Sequence, residues 1–429
     1  MLKSLKIKSI SLFLLVILLT TTRSEAVYEF NVTVCASGCD YTAFSTAESA
    51  IDNVGDLTSA ASACGAWDAQ SGSAIADATA VTWDSGVSTG TLHHQTDAGS
   101  SGEYILTVSG GTLDDNDIVS DGTNTFTVNG NADTCAIVLE CGAAEDIDGG
   151  LSFSGFTTDA DNNLRATGGS FKHNGTPASG CVITRNTFNV LSPADSNLIY
   201  EDLIIEETAN SATNSNCISS GSSDTNMVFR RIIVNTCVNA GAGVFDGIAN
   251  LTASTSSGVV SVLDSQVINP EADGIRTGNT TGVTVNLYNN SVISAGAHGI
   301  ESGSANGTVN AVNNLAFDSA TADYAGTFDT FTTNGASDTT GDPVGLDSLT
   351  SSSEFTSVTG GSEDLHILTG AVAKDAGTDL GSTNAVDVDI DGTTRSGTWD
   401  VGSDEFVSVA SSTSGISGMT ISGSTTSGI

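Results

Sequence analysis

Tyr200-Glu-Asp-Leu-Ile-Ile205, Phe229-Arg-Arg-Ile-Ile-Val234, Leu263-Asp-Ser-Gln-Val-Ile268, Tyr288-Asn-Asn-Ser-Val-Ile293 and Val312-Asn-Asn-Leu-Ala-Phe317 share one pattern: a large apolar residue, two polar residues, then an apolar run. Starting at 200, 229, 263, 288 and 312, the copies are 29, 34, 25 and 24 residues apart. A second register runs between them: Asp246-Gly-Ile248, Asp273-Gly-Ile275 and His298-Gly-Ile300, with Cys217-Ile218 as a reduced earlier copy. Its isoleucines at 248, 275 and 300 keep step with the first register. Two registers in phase at a period near 25 mark a solenoid. Short β-branched runs separated by Gly, Asn, Ser and Thr, with no long helical pattern, predict an all-β chain of stacked parallel strands.

These residues resemble the right-handed parallel β-helix proteins of the pectin-lyase-like superfamily, of the exported bacterial or phage-like type. The resemblance covers about residues 131 to 406, and the Asn-Asn-Ser-Val-Ile and Asp-Gly-Ile steps look like that family's rungs. It implies a right-handed parallel β-helix climbing about 4.8 Å per rung, with equivalent positions lined up along the axis. Glu201, Arg230 and Asp264 are then expected in one column of alternating sign, and Arg276 beside Glu301. Asn289, Asn290, Asn313 and Asn314 are expected to stack as amides at a turn, and Ile248, Ile275 and Ile300 inside. Stacking supplies the core, since no single rung can bury its inner face.

Twelve Lys and Arg against 50 Asp and Glu give the 429-residue chain a net charge of −38. Residues 1–26 read as a secretory signal: Lys3, Lys6 and Lys8, an apolar run from Ile10 to Leu19, then small residues before the cleavage position. That run is too short to span a bilayer. Removing the leader takes away four bases and one acid, moving the charge from −38 to −41. So acidic a surface repels phosphate backbones and anionic headgroups, so no nucleic-acid partner and no membrane span after signal cleavage are expected. A secreted or cell-surface location follows.

The expected order after the leader is a strand-and-helix cap at 27–71, a small antiparallel insert at 72–130, the β-helix at 131–346, a closing segment at 347–406 and a flexible Ser/Thr/Gly tail at 407–429. Eight cysteines in an exported chain permit disulfides. Cys35 with Cys39 and Cys135 with Cys141 are plausible local pairs, while Cys181, Cys217 and Cys237 could equally be small buried fillers. No paired spacing suggests zinc. His93-His94 is read as loop polarity, because neighbours on a strand point apart and no carboxylate partner is evident.

Asp387-Val-Asp-Ile-Asp-Gly392 matches the first half of a calcium loop, which makes Asp387, Asp389 and Asp391 the calcium candidates. Thr398 stands where the bidentate ligand belongs. The order Asp375-Ala-Gly377, Asp389-Ile-Asp-Gly-Thr-Thr-Arg395, Asp400-Val-Gly-Ser-Asp-Glu405 resembles the closing sequence of exported bacterial β-helix proteins, which implies a structural pairing of Arg395 with one of these carboxylates.

The sharpest catalytic candidates are Asp246, Asp273 and His298, one per rung, with Arg276 nearby. Carboxylates a rung apart approach the separation used by retaining glycosidases, and a histidine beside them could move a proton. His298-Gly299 resembles the His-Gly motif of polygalacturonases, whose other motifs are missing here. Lyases of the superfamily typically use a catalytic Arg or Lys with calcium-binding acids, and only eight bases follow the leader. The competing explanation is a turn position entering each strand, where Asp is favoured by bonding to backbone. That weighting leads to an exported surface or adhesive β-helix protein that binds polysaccharide or cell-surface glycan without catalysis. The rivals are a polysaccharide hydrolase or lyase, then a spike or filament component.

Overall fold

The computed structural model describes residues 27–51, 54–59, 61–96, 100–185, 189–207, 216–220, 226–237, 245–251, 258–278, 281–303, 306–341, 346–382 and 386–407. The expected leader and residues 408–429 of the tail lie outside the described residues.

The described chain is an all-β parallel β-helix. Its first sheet stacks Val27–Val34, the later half of Thr125–Cys141, Leu164–Thr167, Leu198–Glu201, Met227–Arg230, Val259–Leu263, Thr281–Tyr288, Asn306–Val312 and Thr330–Thr332. A second sheet of eight strands runs from Asp146–Asp148 to Gly335–Ala336, and a third of five runs from Ile218–Ser219 to Ala322–Gly326. Register turns sequence into columns. Tyr200, Phe229, Val262, Leu287 and Ala311 face inward one above another, as do Ile248, Ile275 and Ile300. All are fully buried, and all but Ala311 belong to one continuous core.

The Gly before each isoleucine is a packing requirement. A Cβ on Gly274 would sit 2.3 Å from a Val292 methyl and 2.5 Å from the Gly299 carbonyl oxygen, so only glycine lets the rungs close up here. The sharp corner after the first sheet is made by single left-handed residues: Asp202, Arg231, Asp264, Asn289, Asn313 and Thr333 have φ between 48° and 59°. Asn and Asp tolerate that conformation best. The adjoining amides form the expected stack: Asn290 Nδ2 donates to Asn314 Oδ1 and Asn314 Nδ2 to Asn334 Oδ1, each at 2.9 Å and fully buried.

The repeat alignment is off by one residue between its second and third copies. Phe229 pairs with Val262, not Leu263, and Arg230 lies beside Leu263. Glu201 and Arg230 do form a pair, 2.6 Å apart, but Asp264 belongs to the corner column with Asp202 and Arg231. The cause is physical: Leu263 and Tyr288 point outward yet are apolar, because Val386, Trp399 and Leu380 pack over them. An apolar residue on the covered outside reads in sequence like one facing the core.

At the N-terminal end, Val27–Val34 pairs in parallel with the later half of Thr125–Cys141, and the helix Phe44–Ile51 buries Phe44, Ala47 and Ile51. The antiparallel insert begins at Ser62–Ser71, ten residues before the expected boundary, and continues through Thr79–Trp83, Ser88–Gln95, Ser101–Gly110 and Ile118–Ser120 into Thr125. Its own core gathers Trp67, Trp83, Tyr104 and Phe126. His93-His94 is strand rather than loop. A bulge between Leu92 and His94 re-aims the pair, and His94 Nδ1 lies 3.0 Å from Asp77 and 2.8 Å from the Tyr41 hydroxyl.

All eight cysteines are paired: Cys35–Cys39, Cys64–Cys135, Cys141–Cys181 and Cys217–Cys237. Cys135 and Cys141 are therefore not partners. Six residues apart on one extended strand, they are separated by about 20 Å, far beyond disulfide reach. Cys181, Cys217 and Cys237 are cross-links, not fillers.

After the last rung the chain turns back along the outside. Ile367, Ala373, Ile390 and Val401 cover the outer apolar face of the second sheet, made by Val182, Ile204, Ile233, Ile268, Ile293 and Leu315. The same segment caps the corner column: Thr378 N–H donates to Asn313 Oδ1, Asn289 Nδ2 to the Val386 carbonyl, and Arg395 to Asp264 Oδ1 at 3.0 Å. Arg395 and Asp264 are both fully buried, and Arg395 also lies 3.4 Å from Glu405, the expected carboxylate pairing.

Candidate functional site

The third sheet begins each rung with the residue before Gly-Ile, and that position forms a ladder of side chains accepting from the next rung's backbone. Asn189 Oδ1 accepts the N–H of Asn216, Asn216 that of Asp246, Asp246 that of Asp273, and Asp273 that of His298, at 2.9 to 3.1 Å. The expected turn preference of Asp is thus satisfied across rungs instead of within the residue's own turn. A carboxylate that accepts a main-chain N–H saturates a donor that would otherwise be buried without a partner.

Arg276, two residues into its strand, reaches back over this ladder. Its guanidinium contacts Asp246 Oδ2 through both Nε, at 2.8 Å, and NH2, and its Nε lies 3.4 Å from Asp273 Oδ2. Asp246 is nearly buried; burial pushes its carboxyl above the usual range, and Arg276 opposes that shift. His298 Nδ1 stands 3.0 Å from Asp273 Oδ1. Glu301 pairs with Arg276 in the strand register, as expected. Burial raises the Glu301 carboxyl, and the neighbouring Asp273 carboxylate raises it further.

The four sequence candidates are therefore brought together, with Glu301 as a fifth member that sequence reasoning placed only as a salt partner. Asp273, His298 and Glu301 set their donor atoms within 4.8 Å of one another, a mixed nitrogen and oxygen set able to hold a divalent cation. Solvent reaches the cluster from one side: the side chains of Arg276 and His298 are 35 % and 25 % exposed, against 4 % for Asp246. The surface here follows the stacked strands; a cavity of about 670 Å³ opens elsewhere, in the insert, lined by Trp83, Asp84, Asp117 and Ile118 among others.

Asp387, Asp389 and Asp391 are not together in either close donor group found among the described residues. Asp389 is buried and its oxygens accept the N–H groups of Asp391, Thr393 and Glu405, so this carboxylate organises its own loop. Asp391 instead meets His366 Nε2 at 3.1 Å, with Asp364 on the other imidazole nitrogen and Asp404 completing a second donor group. The Asp391 pairing leads the causes that raise His366 to about 10, while burial pushes Asp404 up to about 7. Gly175 closes over this pair: a Cβ there would lie 2.2 Å from Asp391 and 2.6 Å from His366. Nothing in the sequence spacing of 175, 366, 391 and 404 announces the cluster, since the strand Asp364–Ile367 and three separate loops build it.

Among the described residues no helix is long and apolar enough to cross a membrane. No known protein family, curated protein or solved structure matches this chain.

Proposed function

We propose that the chain is an exported β-helix protein of the pectin-lyase-like type that binds a neutral glycan without cleaving it, through the Arg276–His298–Glu301 edge of the third sheet. The observation that carries this reading is the commitment of the two best catalytic acids. Asp246 is held by Arg276 and by the Asp273 N–H; Asp273 is shared among Arg276, the His298 N–H and the His298 ring. A nucleophile or base needs a free lone pair facing substrate, and these have structural partners. Arg276, His298 and Glu301 keep partial exposure and set donors beside acceptors, the combination that sugar hydroxyls require. The net charge of −38 favours a neutral glycan over a polyanionic one.

One observation favours the hydrolase alternative. Glu301, raised by burial with the Asp273 carboxylate at its side, has the surroundings of a general acid. The full chain is therefore tested on a panel of neutral oligosaccharides for both binding and new reducing ends. Binding without products, weakened roughly tenfold or more by His298→Ala and by Glu301→Gln, is the expected result; tenfold corresponds to about 1.4 kcal/mol, the size of one hydrogen bond. Wild-type cleavage that disappears in Glu301→Gln would replace the binding reading with the hydrolase.

A further inference from the structure

We propose that His366, Asp391 and Asp404 form a binding site for a divalent transition-metal ion, zinc by the chemistry of the donors, which ties the returning segment to itself. The site shares no residue with the third-sheet edge and does not depend on the glycan reading. Its donors come from the strand Asp364–Ile367, from the turn after Ile390 and from the stretch after Val401, and their ligand atoms all lie within 4.8 Å of one another. His366 Nε2 stands 3.2 and 3.1 Å from the two Asp391 carboxylate oxygens. Two ligands held by one tetrahedral zinc at about 2.0–2.2 Å each are separated by about 3.3 Å, close to that spacing.

What points to a ligand is the free oxygen of Asp404. The residue is only 4 % exposed, and the Ile367 N–H donates to its Oδ2 at 2.7 Å. Its Oδ1 has no hydrogen-bond partner among the described residues. A nearly buried carboxylate beside a second carboxylate is costly unless a cation meets it.

Asp364 and Gly175 point the same way. The Asp364 carboxylate takes the Nδ1 side of the His366 ring, so Nε2 is the nitrogen turned to Asp391. A carboxylate on the far nitrogen is what orients a metal-ligating histidine and makes it more basic. A Cβ at Gly175 would fall 2.2 Å from Asp391 Oδ1 and 2.6 Å from His366 Nε2, so any side chain there would fill the approach to both donors. The kind of donor chooses the ion. Calcium and magnesium take oxygen ligands, whereas an imidazole nitrogen among carboxylates suits zinc. The side chains of His366 and Asp391 are 26 % and 32 % exposed, which lets water take a fourth position. Without the ion, His366 and Asp391 hydrogen-bond each other directly.

The full chain, stripped with EDTA and dialysed, is titrated with zinc chloride by calorimetry. Uptake of one zinc per chain is expected, with calcium bound roughly 100-fold or more weakly. Asp391→Asn and Asp404→Asn should each weaken zinc by more than the roughly 10- to 100-fold that follows loss of a group orienting a ligand, and Asp364→Asn by about that much. Glu301→Gln should bind as the wild type does, which separates this group from that of Asp273, His298 and Glu301. Saturating zinc should raise the urea midpoint of the wild type but not of Asp404→Asn, since only the folded chain brings all three donors together. Asp404→Asn keeps an oxygen for the Ile367 N–H, and circular dichroism in EDTA checks that it is folded. Should it fail to fold, Asp391→Asn decides, because the Asp391 side chain bonds only His366 among the described residues. No zinc uptake by the wild type, uptake unchanged in the variants at 391 and 404, uptake lost in Glu301→Gln, or calcium bound as tightly as zinc would each overturn the proposal.

Discussion

Replacing Asn290 tests whether the buried amide stack holds the corners of the solenoid. Its Oδ1 accepts the Ser265 N–H at 3.1 Å, and its Nδ2 donates at 2.9 Å to the Val262 carbonyl and to Asn314 Oδ1. Asn290→Ala orphans the Ser265 N–H, while Val262 C=O keeps its place in the parallel ladder and Asn314 Oδ1 still receives the Asn290 backbone N–H at 3.0 Å. One buried main-chain donor left without a partner gives a loss of about 1–3 kcal/mol. Asn290→Asp makes a finer distinction. It preserves the acceptor for Ser265 but points a second carboxylate oxygen at two acceptors, so at pH 7 it should be the worse variant although it is the closer isostere. Its folded pKa is then raised above the unfolded value of about 3.9, so its contribution is fully present below that value and is lost as pH rises through the folded pKa. Urea midpoints for wild type and both variants at pH 4 and pH 7 read this directly. An Asp variant as stable as wild type at pH 7, or an Ala variant within about 0.5 kcal/mol of it, would refute the assignment of the corners to the amides.

Arg395→Met leaves Asp264 fully buried without its cation and should lower stability by about 3–5 kcal/mol in denaturant titration, with Asp264→Asn in the same chain recovering part of it. Burial pushes Asp264 up to about 7, as it does Asp404, and His366 is raised to about 10 chiefly by Asp391. All three folded values lie above the unfolded ones. Their stabilisation is complete in acid, falls from about pH 4 through 7 for the two acids, and falls from about pH 6.5 through 10 for the histidine. Midpoints measured across pH should therefore decline, with Asp264→Asn flattening the lower limb and His366→Gln the upper. Cys64→Ser with Cys135→Ser opens a link spanning 71 residues, an expected loss of about 2–4 kcal/mol, and limited proteolysis should find its new cuts within the insert, not the rungs.

The solenoid was legible where one residue type served one physical demand. Gly before Ile is fixed by the closeness of neighbouring rungs at Gly274, and Asn by the left-handed corners at 289 and 313, so both recur visibly. Leu263 and Tyr288 misled the alignment because a segment about a hundred residues away covers them. The His93-His94 pair misled because a bulge re-aims it. The acids before Gly-Ile were located, but their commitment to the next rung's N–H depends on an axial spacing that a linear pattern does not display. The His366, Asp391 and Asp404 group lay beyond reach, since its members meet only after the chain has doubled back.

The returning segment changes what kind of object the stack is. A column whose layers touch only their neighbours can fray from either end, each layer peeling off nearly independently. Here one continuous stretch grips Asn313 near the top, Asp264 midway, and, through Asp391 and its contact with Lys172, a loop near the bottom. The uppermost layers cannot melt while that stretch stays seated, and it cannot lift without exposing the apolar outside of the second sheet along most of its length. A ladder that would otherwise unzip stepwise is thereby tied into a unit that comes apart all at once.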